Sequence, residues 1–188
     1  MLEHGGQLRS ASVRYNIPAA EWLDLSTGIN PNGYTAPAIP AEAWLRLPQE
    51  QDGLEQAAAA YYGTADLLPV AGSQQAIQAL PRLRAHSRVG VLHPGYGEHA
   101  HAWARAGHEL AGLDAAGIAD RLNELDVLVL ANPNNPTGAT FPPEQLRAWH
   151  GQLAERGGWL IVDEAFIEAS PQASLVAATM PQGLIVLR

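Results

Sequence analysis

The sequence predicts an α/β fold, a mostly parallel sheet with helices on both faces. Three observations carry this. From Gly53 onward, short apolar runs alternate with helical segments, the pattern that builds a parallel sheet from strand–helix–strand units. The run Val127–Ala131 is apolar at every position, as a strand covered on both faces requires. Residues 143–156 carry proline in the first turn and Gly157 just past the end, the signals that start and stop a helix.

The elements follow in order. The first 50 residues are punctuated by Gly5, Gly6, Pro18, Gly28, Pro31, Gly33, Pro37, Pro40 and Pro48 and read as a loop-rich lead-in with one short helix near 18–23. Leu54–Tyr62 is an alanine-rich helix ended by Gly63. Residues 67–71 form a short apolar strand, 74–83 a helix despite Pro81, and 88–93 a strand. Residues 97–106 are a helix stopped by Gly107, with Ala100, Trp103 and Ala104 on one face. Glu109–Leu113 is a further strand and residues 118–122 a short helix. In the 143–156 helix, Leu146, Trp149 and Leu153 share a face. Residues 159–162 form a strand ending at Asp163, and Leu184–Leu187 begins another. A sequence ending inside an apolar strand reads as part of something longer.

Composition narrows the function. With 188 residues of which 47 % are hydrophobic, the chain buries a core rather than staying disordered. A net charge of −8 argues against nucleic acid or an anionic membrane as the main partner. No cysteine is present, so no disulfide or thiolate metal site is expected, which fits a cytoplasmic protein. No run approaches the roughly 18 apolar residues of a membrane span. All 11 basic residues are arginine, so any chemistry that needs a side-chain primary amine is missing from these residues.

In open α/β sheets ligands sit beyond the carboxyl ends of the strands, and four such places stand out. Gly72-Ser73-Gln74-Gln75 opens a helix, whose free amides suit an anion such as phosphate; alone it also reads as an ordinary capped turn. In Pro94-Gly95-Tyr96 the aromatic ring is either packed in a turn or stacked on a planar ligand. The run Asn132-Pro133-Asn134-Asn135-Pro136-Thr137-Gly138 is the most specific. Two prolines and a glycine fix an unusual loop from which Asn135 offers a carboxamide. Asp163-Glu164-Ala165-Phe166 leaves a buried strand with an acid, costly unless paired with a cation or used as a helix cap. Asp163 lies 28 residues after Asn135, one loop, helix and strand, so a right-handed crossover turns both toward one crevice.

These runs together resemble the signature of fold-type I pyridoxal-phosphate enzymes of the class I and II aminotransferase superfamily. The resemblance implies the large domain of that fold, incomplete here, with residues 1–50 as an arm and substrate-binding lead-in and 51–188 as the cofactor-binding domain. It implies pyridoxal 5'-phosphate as cofactor. Asn135 would bond the ring's phenolic oxygen, Asp163 would pair with the pyridine nitrogen, Gly72, Ser73 and Gln74 would cup the phosphate, and Tyr96 would stack on the ring. His4-Gly5-Gly6, the stretch from Leu23 to Pro31 (LDLSTGINP) and Asp163-Glu164-Ala165-Phe166-Ile167 are similar to threonine-phosphate decarboxylases. That implies substrate contacts from His4, Gly5, Gly28 and Asn135, and decarboxylation of L-threonine O-3-phosphate to aminopropanol phosphate in cobalamin synthesis. Phe166 stands where aminotransferases usually carry tyrosine. Leu47-Pro48-Gln49 stands where relatives often carry Tyr-Pro-Asp, and Gly28 where some carry asparagine.

The family's Schiff-base lysine lies a few residues past a strand like Leu184–Leu187, so no catalytic residue of that kind is present and the chain as it stands is expected to be inactive. A homodimer acting on a small phosphorylated amino acid follows by analogy. Two other readings stay open: an aminotransferase of the histidinol-phosphate type, and a non-catalytic fragment that holds the cofactor. A nucleotide-binding Rossmann domain is disfavoured, since no Gly-x-Gly-x-x-Gly follows a strand. His99 and His101 read as solvated rather than as metal ligands, because residues two apart do not share a helix face. The five tryptophans read mostly as core.

Overall fold

The computed structural model describes residues 5–30, 32–47, 49, 52–177 and 180–188. The chain divides into two compact units, Met1–Gln49 and Glu50–Arg188. In the first, α1 (Leu8–Tyr15) is followed by 3-10 turns at Ala19–Glu21 and Ala41–Trp44. None of its described residues is buried. Helix α1 lies in a stretch expected to be loop. The glycines flank it rather than interrupt it, and Asn16, in the left-handed region at φ 53°, closes it.

The second unit contains α2 (Leu54–Tyr62), α3 (Ser73–Ala79), β1 (Arg88–Leu92), α4 (Gly97–Arg105), β2 (Glu109–Leu113), α5 (Ile118–Arg121), β3 (Val127–Ala131), α6 (Pro143–Ala154), β4 (Trp159–Asp163) and β5 (Leu184–Leu187). The five strands form one sheet in the order β2-β1-β3-β4-β5, every pair parallel. All strands therefore end on the same edge.

Period-two alternation divides the core between the two faces. Leu128, Leu130, Leu160 and Val162 pack with Leu146, Trp149 and Leu153 of α6 and Ile118 of α5. Val127, Val129 and Ile161 pack instead with Ile77 of α3 and Ala102 and Trp103 of α4. Helices thus cover both faces, as expected, which is why β3 is apolar throughout.

Four details differ from expectation. Residues 67–71 form no strand. The segment closes on itself through Leu67 N–H to Ala65 O (3.0 Å) and Gly72 N–H to Val70 O (2.7 Å), and Pro69 has no N–H to give a ladder. A cleft of about 710 Å3 separates it from β5. The 74–83 helix is α-helical only to Ala79, then tightens to 3-10 over Leu80–Leu83 around Pro81. The buried face of α4 is His99, Ala102 and Trp103, not Ala100, Trp103 and Ala104. Among the tryptophans, Trp103 and Trp149 are core, whereas Trp44 is 73 % exposed.

Truncating Leu128, fully buried between β3 and α6, is expected to lower the unfolding free energy by about 2–5 kcal/mol. Chemical denaturation of Leu128→Ala measures it, and a loss well under that range would count against this face as the main core.

Candidate active site

At the shared C-terminal edge, Asp163 ends β4 with 5 % of its surface exposed. Its Oδ2 lies 2.9 Å from His99 Nε2 and its Oδ1 accepts the Ala165 N–H at 3.0 Å. A carboxylate oxygen can only accept, so His99 presents its Nε2–H. The hydrogen-bond partner that a buried acid requires is thus a histidine supplied by α4. His99 is buried too, a correction to its reading as a solvated side chain. The helical spacing of His99 to Trp103 held the clue, since residues four apart share a face.

The loop after β3 starts beside this acid, because Asn132 N–H donates to the Asp163 carbonyl at 2.8 Å. Two of its three asparagines hold the loop together. Asn132 bonds the Phe141 backbone twice, Nδ2 to O at 3.1 Å and Oδ1 from N–H at 2.9 Å. Asn134 Nδ2 donates to Pro94 O (2.9 Å) and Thr137 Oγ1 (2.8 Å), which joins this loop to the one carrying Tyr96. Asn135 remains exposed at the loop tip.

Tyr96 precedes α4, half-buried, its ring edge-on to His99 at 6.0 Å between centroids. Burial, then the charges of Glu98 and Asp163, hold its phenol pKa above the ordinary value. Gly72 lies at φ 77°, ψ 159°, ahead of Ser73, which opens α3; L side chains rarely adopt this backbone. Nothing lies within 4 Å of where its Cβ would stand. Gln74 Nε2 donates to Glu98 Oε2 at 2.8 Å, linking the starts of α3 and α4. Phe166 is 45 % exposed, just before a 3-10 turn. The structure therefore gathers Gln74, Tyr96 and Asp163 through direct contacts of α3, α4 and β4.

The remaining expected residues lie in the first unit, where His4 is outside the described residues. Gly6 N–H donates to Ser26 Oγ at 2.8 Å, and a Cβ on Gly5 would collide with the Ser26 carbonyl. The glycine pair and the Ser26-to-Gly28 stretch are thus neighbours, and Gly28 is exposed. No group of three or more His, Asp or Glu side chains that could hold a metal ion occurs among the described residues. Nor is any helix among them long and apolar enough to cross a membrane.

Residues 42–187 match the family model for aminotransferase class I and II. The chain belongs to that family. This aminotransferase-family chain is 60 % identical over its whole length to the threonine-phosphate decarboxylase of Pseudomonas aeruginosa, covering 57 % of that protein. It is 44 % identical over 98 % of its length to the threonine-phosphate decarboxylase of a Sinorhizobium species, again covering 57 % of the relative. The chain thus spans a little over half the length of these relatives. In fold it is similar to the histidinol-phosphate aminotransferase of Sinorhizobium meliloti solved with pyridoxal-5'-phosphate, with TM-score 0.59, 24 % identity, and 71 % of this chain and 40 % of that one covered.

Removing the His99 ring leaves a buried oxygen of Asp163 unpaired, so His99→Ala is expected to cost about 1–3 kcal/mol of stability, read by thermal and urea unfolding. In Asp163→Asn the phenol of Tyr96 should titrate at lower pH, since one of the negative charges that disfavour its phenolate is gone. Ultraviolet titration, referenced to Tyr96→Phe to single out this residue among five tyrosines, reads the midpoint. An unmoved midpoint would mean the two side chains do not sense one another.

Proposed function

We propose that this chain forms the cofactor-binding part of a pyridoxal-phosphate-dependent decarboxylase that converts L-threonine O-3-phosphate to aminopropanol phosphate, a step of cobalamin synthesis. The observation that carries it is the Asp163 carboxylate, buried at a strand exit and held by His99 and Ala165 N–H, beside a loop that leaves Asn135 exposed at its tip. The donor set fits pyridoxal phosphate: an acid for a protonated ring nitrogen, a carboxamide for the phenolic oxygen, an aromatic ring for the flat face, and the open backbone of Gly72 and Ser73 for the phosphate. Bound there, pyridoxal phosphate supplies an electron-withdrawing ring that accepts the electrons left when carbon dioxide departs.

The chain's own residues do the holding. Asp163 keeps the ring nitrogen protonated, and His99 keeps Asp163 oriented. Tyr96 covers one face of the ring. Phe166 brings no hydroxyl to compete for the phenolic oxygen, which favours decarboxylation over amino transfer. The likeness to threonine-phosphate decarboxylases assigns His4, Gly5, Gly28 and Asn135 to the phosphorylated substrate.

The high identity to two threonine-phosphate decarboxylases along nearly the whole chain supports this substrate over histidinol phosphate. We also infer a cytoplasmic homodimer. The exposed Leu23, Leu25, Ile29 and Leu47 of the first unit are suited to burial in such an assembly.

The protein extended to the length of its relatives is expected to release carbon dioxide from L-threonine O-3-phosphate when pyridoxal phosphate is supplied. Amino transfer to a keto acid instead would favour the aminotransferase reading. The 188-residue chain, without a lysine, should bind the cofactor without turnover. Replacing Asp163 by alanine should weaken that binding about 10- to 100-fold, the worth of a charge-assisted hydrogen bond. Absorbance titration with pyridoxal phosphate measures it.

A further inference from the structure

A second acid leaves β4 beside Asp163 and faces different company. The Glu164 side chain is completely enclosed. Its Oε1 accepts Leu175 N–H at 2.6 Å, and its Oε2 accepts Ser174 Oγ–H at 2.6 Å and Arg188 Nη1–H at 2.9 Å. The other end of Arg188 pairs with Glu168 Oε1, and its guanidinium lies 5.1 Å from the centre of the Tyr62 ring. Burial pulls the guanidinium pKa down, but the bonds to Glu164 and Glu168 more than reverse this, so it remains a cation. One side chain therefore ties the exits of β4 and β5 to the end of α2.

Stability is a weak account of this arrangement. Exchanging a buried ion pair for well-packed apolar residues is often neutral or stabilising. What the pair fixes is a short piece of backbone. Glu164 N–H donates to Leu187 O at 2.9 Å, so residue 164 is held through both main chain and side chain. The next amide, Ala165 N–H, is the donor to Asp163 Oδ1. If residue 164 rotates, that amide leaves the carboxylate.

We propose that Glu164 and Arg188 are positioning residues for the acid that meets the cofactor: by locking the chain just after Asp163, they keep Ala165 N–H on its Oδ1 and so set the direction in which the carboxylate points. This deepens the reading of Asp163 as the partner of the ring nitrogen and rests on it. It requires no contact between Glu164 or Arg188 and the ring.

The test uses the full chain carrying Arg188→Met, and Glu164→Gln as a milder change that keeps an acceptor for Leu175 N–H. Two readouts are taken on folded protein, as judged by circular dichroism. One is the nuclear magnetic resonance signal of the His99 ring N–H bonded to Asp163, recorded without cofactor. The other is the dissociation constant for pyridoxal phosphate from absorbance titration. The proposal expects the His99 signal to move in both variants and cofactor binding to weaken by about tenfold or more, with Arg188→Lys recovering part of each. If melting temperature falls while both readouts stay at their unaltered values, the pair is structural only and the proposal is overturned. Should Arg188→Met fail to fold, Glu164→Gln decides alone. If even the unaltered chain takes up no pyridoxal phosphate, the functional reading fails, and the His99 signal still decides whether the pair orients Asp163.

Discussion

A carboxylate with 5 % of its surface open to solvent is the constraint around which this molecule is arranged. Left alone at the end of an apolar strand, Asp163 would be expensive. Its neighbours are disposed to meet that cost. Helix α4 brings His99 to one oxygen, the turn after β4 brings an amide to the other, and the loop after β3 is stitched to the Asp163 carbonyl. Trp103, one turn along α4 from His99, anchors that helix in the sheet-side core, so the histidine's reach is set by packing. The acid's orientation is thus inherited from the sheet, the helix and the turn together.

Parallel pairing makes such convergence possible. Because all five strands run the same way, their C-terminal ends present successive loops along one edge. The contacts across that edge join loop to loop, helix start to helix start and strand exit to strand end: Asn134 to Pro94, Gln74 to Glu98, Glu164 to Leu187. Each bond joins segments far apart in sequence, so the rim is tied together along the sheet's C-terminal edge. A stiff rim is what a site needs when it holds a flat ligand by its edges.

The fold was largely legible because β3, β4 and α6 announce themselves by apolar run, alternation and capping. Residues 67–71 misled for a physical reason. An apolar, extended run is necessary for a strand, but a ladder partner is also required, and Pro69 and the self-closing bonds at 65–72 work against one. Asp163 was legible because an acid at a strand exit needs an explanation. His99 was not, since reading it beside His101 drew attention away from its spacing to Trp103. The division of labour among the three asparagines was likewise hidden. Which carboxamides are used within the loop depends on Phe141 and Pro94, and no local pattern points to those backbone partners.

The outer side of β5 has a consequence for handling the protein. Among the described residues this strand pairs only with β4, so its other row of amides and carbonyls opens onto an apolar cleft. A strand with one side left without a ladder partner is a template for strands from other molecules. Association in solution should therefore grow with protein concentration, the mark of backbone pairing reinforced by greasy contacts.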